Sequence, residues 1–143
     1  MLNIYQRLAK LVEKLRGLVY GAKENLIFGK GTHISKDATV STRYGGGIRI
    51  GCNCKIHPFA MLLTYGGDIS IGNFCSINPF SVIYGHGGVK IGDGVRIATH
   101  CVIIPANHNF EAIDQFIFQQ GETRKGIIIE DDVWLGAGAR ILD

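Results

Sequence analysis

Every sixth residue from Phe28 is a large apolar one. The run is Phe28, Ile34, Val40, then after a short gap Ile50, Ile56, Leu62, then Ile71, Ile77, Ile83, then Ile91, Ile97, Ile103, and finally Ile129, Leu135, Ile141. A chain that is 46% hydrophobic does not sustain such a run by chance. Four residues after the lead, in the first two hexads of each group, stand Thr32, Ala38, Cys54, Ala60, Cys75, Ser81, Val95, Cys101, Val133 and Ala139, all small or β-branched. Positions an even number apart on an extended segment face the same side, so lead and small residue share one interior. Six residues per flat face and three faces per group predict a triangular coil, and stacked coils pair strand on strand. The expected fold is an all-β parallel β-helix of about five coils over residues 28–143. The first lead is followed by Gly29, Gly51, Gly72 or Gly92, and by Glu130 in the last group, a placement that suits a backbone turning a corner.

The residues in excess of the hexads all fall after a third lead, so every insertion is expected on one edge of the prism. Three of these corners look alike: Tyr44-Gly45-Gly46-Gly47, Tyr65-Gly66-Gly67 and Tyr84-Gly85-His86-Gly87-Gly88. The fourth expands into a loop insertion over residues 105–126. Loops grafted on one face of a repeat array are where function gathers. Ahead of the repeats, residues 1–27 are expected to form an amphipathic helix and linker. Ile4, Leu8, Leu11, Val12, Leu15, Leu18 and Val19 keep helical spacing, with Arg7, Lys10, Lys14 and Arg16 at other positions. The helix over residues 3–19 either caps the first coil or makes a peripheral membrane contact. Asp143 follows the last lead by two residues with no polar capping element, so the array is expected to continue in a longer protein or to be covered by a partner.

Composition narrows the function. Twenty glycines, where roughly 7% is ordinary, point to many tight corners rather than long helices. A net charge of +3 and the absence of a Lys/Arg block give no case for nucleic acid. No apolar stretch is long enough to span a bilayer, and a cytoplasmic protein with reduced thiols is expected. Cys54, Cys75 and Cys101 fall in the small inward slot and are expected as buried packing residues, with Cys52 outward, so no metal role is assigned to them.

The repeat also sorts the histidines. His33 and His57 lie next to leads, where side chains face outward, and His100 occupies a similar slot suited to a subunit contact. His86 and His108 both lie on the inserted edge, one coil apart. His108 stands at the mouth of the only large insertion, within Pro105-Ala106-Asn107-His108-Asn109-Phe110. An imidazole titrates near pH 6.5 and can take a proton from a hydroxyl at neutral pH.

The hexad stack, the loop histidine and the segment Ile129-Glu130-Asp131-Asp132-Val133-Trp134-Leu135-Gly136-Ala137-Gly138-Ala139 resemble the maltose and galactoside O-acetyltransferases. They resemble more closely the relatives that acetylate sugars of capsules, lipopolysaccharide or exopolysaccharide. The resemblance covers about residues 28–143. It implies a left-handed coil, a homotrimer with sites between subunits, acetyl-CoA as cosubstrate and a small-molecule sugar acceptor. By position it makes His108 the general base, Asn78 an acceptor-binding residue, and the backbone amide of Ala137 the stabiliser of the oxyanion. Gly136 goes with Ala137 along the cofactor groove, Trp134 lies along the cofactor or acceptor groove or packs between subunits, and His86 and Asn107 go with the acceptor. Asn78 also reads as a corner residue satisfying its own backbone. Relatives carry further coils that form much of the pantetheine groove.

Two other readings compete. One is a β-helix scaffold without activity that binds a partner through its flat faces. The other is a zinc-dependent carbonic anhydrase of the same fold, which needs three converging histidines, here His86, His100 and His108. The reading adopted is acetyl transfer, with no metal.

Overall fold

The computed structural model describes residues 25–143, so the helix expected over residues 3–19 lies outside the described residues. The first coil carries strands β1 (Leu26–Phe28), β2 (His33–Ile34) and β3 (Thr39–Ser41), and the second β4 (Ile48–Ile50), β5 (Lys55–Ile56) and β6 (Met61–Leu63). The third follows with β7 (Ile69–Ile71), β8 (Ser76–Ile77) and β9 (Val82–Tyr84), and the fourth with β10 (Val89–Ile91), β11 (Arg96–Ile97) and β12 (Val102–Ile104). Two short strands, β13 (Asn107–His108) and β14 (Glu122–Thr123), precede the fifth coil of β15 (Ile127–Ile129), β16 (Trp134–Leu135) and β17 (Arg140–Leu142).

The coils stack into three five-stranded parallel sheets, ordered β1-β4-β7-β10-β15, β2-β5-β8-β11-β16 and β3-β6-β9-β12-β17. Register follows the hexads: Phe28, Ile50, Ile71, Ile91 and Ile129 align on the first face. Ile34, Ile56, Ile77, Ile97 and Leu135 align on the second, and Val40, Leu62, Ile83, Ile103 and Ile141 on the third. The first face adds an apolar column that the hexad count leaves out: Leu26, Ile48, Ile69, Val89 and Ile127. Ile48, Leu62, Ile69, Ile77, Ile83, Ile97 and Ile103 are wholly buried in the single core. Removing each such side chain from water contributes about 1.5–3 kcal/mol.

Where the small inward slot holds a hydroxyl or a thiol, that group reaches a carbonyl of the next coil. Thr32 Oγ1 donates to Gly51 O at 2.6 Å, and Ser81 Oγ to Ala98 O at 2.8 Å. The thiols of Cys54, Cys75 and Cys101 lie 3.1 Å from the carbonyls of Gly72, Gly92 and Gly136. Each of those carbonyls belongs to the residue after a lead in the next coil. Burial, the main cause, pushes the Cys75 thiol up to about 11, so it remains a protonated donor at neutral pH. Cys52 is half-exposed, as expected.

The glycine column has a different reason from the one its position suggests. Gly29, Gly51, Gly72 and Gly92 do not occupy the left-handed region. A Cβ on Gly51, Gly72 or Gly92 would instead meet the side-chain oxygen of Asn73, Asp93 or Asp131 at 2.7, 2.3 or 2.2 Å. Those oxygens reach back one coil to accept from backbone amides: Asn73 Oδ1 from Cys52 N at 2.8 Å, Asp93 Oδ1 from Asn73 N at 2.6 Å, and Asp131 Oδ1 from Asp93 N at 2.7 Å. Glycine keeps the room that this ladder needs.

Gly92→Ala is therefore expected to destabilise the protein by about 2 kcal/mol or more in urea unfolding, through overpacking and loss of the Asp131 cap. Gly136 has nothing within 4 Å of its Cβ direction, so Gly136→Ala should stay within about 1 kcal/mol of the parent.

Candidate active site

Faces two and three meet at one edge, and faces three and one at another. Asn78, Gly136 and Ala137 follow second-face leads and lie on the first of these edges. His86, Asn107 and His108 follow third-face strands and lie on the second. The chain thus holds the expected site residues on two separate edges.

On the edge of Asn78, backbone geometry prepares a free donor. The second residue after the lead is Lys36, Pro58, Pro79, Thr99 or Ala137, and prolines fit there because the coil-to-coil ladder uses no amide at that slot. Ala137 is an exposed residue, and its amide donates to no group among the described residues. Asn78 serves its own corner: its amide Nδ2 donates to Ile97 O at 2.8 Å, and its backbone N to the same oxygen at 3.0 Å. Its Oδ1 accepts nothing among the described residues. Phe59, Phe80 and His100 stack along this edge, with centroids 5.2 and 5.1 Å apart and planes within 11°. All three sit at positive φ of 63°, 63° and 61°. Such backbone costs about 1 kcal/mol per residue, which stacking of roughly 0.5–1.5 kcal/mol per pair offsets. Trp134 points outward from β16 and is 76% exposed.

The other edge carries the insertion. Its two ends pair as an antiparallel hairpin, β13 against β14, rather than forming a plain loop, with His108 opposite Glu122 and Asn107 opposite Thr123. Directly opposed residues have Cβ atoms about 4.5–5.5 Å apart on one side of the ribbon. His108 is exposed and reachable by a ligand. Arg124 Nε donates to Glu122 Oε1 at 2.7 Å, and Nη2 pairs with the same oxygen. The Arg124 guanidinium, first by that hydrogen bond, holds the Glu122 carboxyl below the usual carboxylate range. A cleft of about 370 Å³ opens beside the hairpin between Asn107, His108, Asn109, Phe110, Thr123 and Lys125. Asp143 closes its side: Lys125 N donates to Oδ2 at 3.0 Å, and Asn107 Nδ2 donates to Oδ1. The Lys125 bond is the main reason that the Asp143 carboxyl lies below its ordinary value.

Beneath the hairpin runs a column of aromatic rings. Tyr44 stacks on Tyr65 at 4.8 Å, and Tyr65 on His86 at 4.9 Å, both with planes 13° apart. Tyr84 meets Tyr65 edge-on at 4.7 Å. The three similar corners are thus out of step: Tyr84 pairs in register with Leu63, and His86 takes the third place in the column. Burial, the largest cause, holds His86 below the ordinary histidine value; Glu122 pulls it up, while Arg124 and His108 push it further down. His86 and His108 therefore share one electrostatic site. Glu122 and Arg124 escape sequence reading, although the alternation Glu122-Thr123-Arg124 is a strand signal inside the insertion.

Of the remaining histidines, His33 is exposed and His57 half-buried. His100 stacks on Phe80 on the opposite edge from His86 and His108, and among the described residues no three metal-ligating side chains converge. No described helix is long and apolar enough to cross a membrane.

The fold is shared with a known enzyme. AntD, an N-acyltransferase from Bacillus cereus, solved as a variant with dTDP-4-amino-4,6-dideoxyglucose and coenzyme A, superposes with a TM-score of 0.70 at 24% identity. The match covers 92% of this chain and 68% of AntD. A second AntD variant, holding dTDP and coenzyme A, gives 0.68 at 23% identity over 91% of this chain and 68% of its own. No protein-family model and no curated protein matches the chain. The likeness establishes a parallel β-helix of the kind that carries acyl transfer in AntD.

Glu122→Gln should weaken the hairpin by roughly 0.5–1 kcal/mol, the range of a partly exposed ion pair. The carboxylate's contribution is present above its unfolded value, about pH 4.3, and is lost as pH falls through the lowered folded value. Parent and variant should therefore differ in thermal midpoint at pH 7 and converge as the pH drops below about 4.

Proposed function

We propose that the protein is a CoA-dependent acyltransferase that moves an acetyl group from acetyl-CoA to a hydroxyl of a sugar or polysaccharide precursor. The observation that carries this reading is His108, exposed on a hairpin at the one expanded corner of a β-helix whose structural neighbours hold coenzyme A and a sugar nucleotide. His108 takes the proton of the acceptor hydroxyl as its oxygen attacks the thioester carbonyl. The Ala137 amide donates to the oxyanion of the tetrahedral intermediate. On collapse the C–S bond breaks, the thiolate receives the proton from the imidazolium, and an acetyl ester and free CoA leave. Asn78, through Oδ1, and Asn107 contact the acceptor. Gly136 and Trp134 lie along the cofactor.

Because Asn78 and Ala137 stand on one edge and His108 on another, the working site forms between copies, in a homotrimer. Two features support head-to-tail assembly. The insertion exposes Phe110, Ile113, Phe116, Ile117 and Phe118, and the opposite edge exposes Phe59 and Phe80. Two unlike apolar patches on one chain make a heterologous contact, which closes into a ring when the rotation permits. AntD's bound amino sugar favours a second acceptor class, a sugar amine, attacked by nitrogen in the same way. An acyl-CoA donor places the reaction in the cytoplasm.

His108→Ala should lower kcat by about 10²–10⁴ with KM for acetyl-CoA little changed, measured as CoA release with hydroxyl and amino-sugar acceptors, free and nucleotide-linked. Undiminished turnover would remove His108 from the mechanism. Mixing inactive His108→Ala and Asn78→Ala chains by co-refolding should restore activity, since a mixed ring contains boundaries with both residues intact. Persistent inactivity would place the whole site in one chain.

A further inference from the structure

We infer that His86, rather than contacting the acceptor as the resemblance implies, is a positioning residue whose ring carries the base-bearing hairpin and sets where His108 stands. Four observations converge on it. His86 is the last ring of the Tyr44–Tyr65 column, stacked at 4.9 Å on Tyr65 and tilted 57° against Tyr84 at 5.7 Å. The returning arm of the insertion rests directly on its corner: a Cβ on Gly87 would stand 2.7 Å from both Arg124 C and Gly126 N. The corner in turn is seated hard on the coil below, where a Cβ on Gly67 would stand 2.2 Å from His86 O. Its Nδ1 is buried and has no hydrogen-bond partner among the described residues, so the ring meets its surroundings there by packing.

The column thus runs from the regular coils into the irregular hairpin. Repeating tyrosine rings fix its lower part, and His86 hands that order to the arm holding Glu122 and Arg124, against which β13 and His108 pair. A ring is needed there, and a charge on it is not tolerated well. Tyr65, Tyr84, Glu122, Arg124 and His108 face it, and only Glu122 favours an imidazolium. Because its folded value lies below the unfolded one, the neutral ring's contribution is full above about pH 6.5 and is lost as pH falls through the lowered value.

The test compares His86→Ala, which removes the ring, with His86→Phe, which keeps the ring and removes its titration. The kinetic arm rests on the acyl-transfer reading; the structural arm, amide-exchange protection of residues 107–109 and 122–126, does not. His86→Ala should cut protection of the hairpin roughly tenfold, while His86→Phe retains it. In the parent, protection should also fall on acidification below about pH 6.5, a change that His86→Phe lacks. His86→Ala should reduce kcat by roughly tenfold with acceptor KM within about twofold, because the base is displaced and substrate binding is spared. Unchanged protection in His86→Ala overturns the inference. So does a loosening of the hairpin in His86→Phe equal to that in His86→Ala, which would make a polar contact the reason for the residue. If His108→Ala turns over normally while His86→Ala still frees the hairpin, the acyl-transfer reading falls and the support role stands.

Discussion

Stacking near-identical coils about 4.8 Å apart is the constraint on which this structure depends. Every side chain and every corner must coexist with its counterpart directly above and below. Large apolar leads satisfy this by forming columns in the core. At the edges the same spacing is far more demanding, because backbone approaches backbone. Glycine at positions 51, 72 and 92 leaves a gap of one side-chain oxygen, and Asn73, Asp93 and Asp131 fill it with caps on the amides of the coil before. The inward thiols and hydroxyls do the same for corner carbonyls. Polar groups at the edges are thus satisfied between coils, which locks the register that the apolar columns alone would fix less tightly.

Such an array has little freedom to vary. Chemistry becomes accessible where the repeat is broken or where a slot is left unused. The third-face edge breaks it: Tyr44 and Tyr65 stack, then His86 replaces a tyrosine, and the chain leaves the coil to make the hairpin of His108 and Glu122. The neighbouring edge leaves a slot unused: prolines at 58 and 79 show that no amide is needed there, and at Ala137 that amide donates to no group among the described residues. The two edges do not meet within one chain.

Much of the fold was legible in the order of residues, because a β-helix buries the same slot in every coil and so writes its register into a six-residue period. Phe28, Ile50, Ile71, Ile91 and Ile129 could be aligned without any structure, and they pair as aligned. The placement of His86 and His108 on one edge followed from counting insertions, and the cysteines sorted themselves by slot. The sequence by itself could not give the purpose of the glycines, since a missing side chain does not say which neighbour needs the space. It also concealed the hairpin. Glu122 and Arg124 belong to a stretch without period, and their relation to His108 arises from antiparallel pairing across a long loop. Likewise the shift that puts His86, and not Tyr84, in the aromatic column depends on how many residues each corner absorbs. Periodic burial is a local, repeated requirement and is visible in one dimension. Contacts made once, between segments brought together by the turn of a loop, exist only in three.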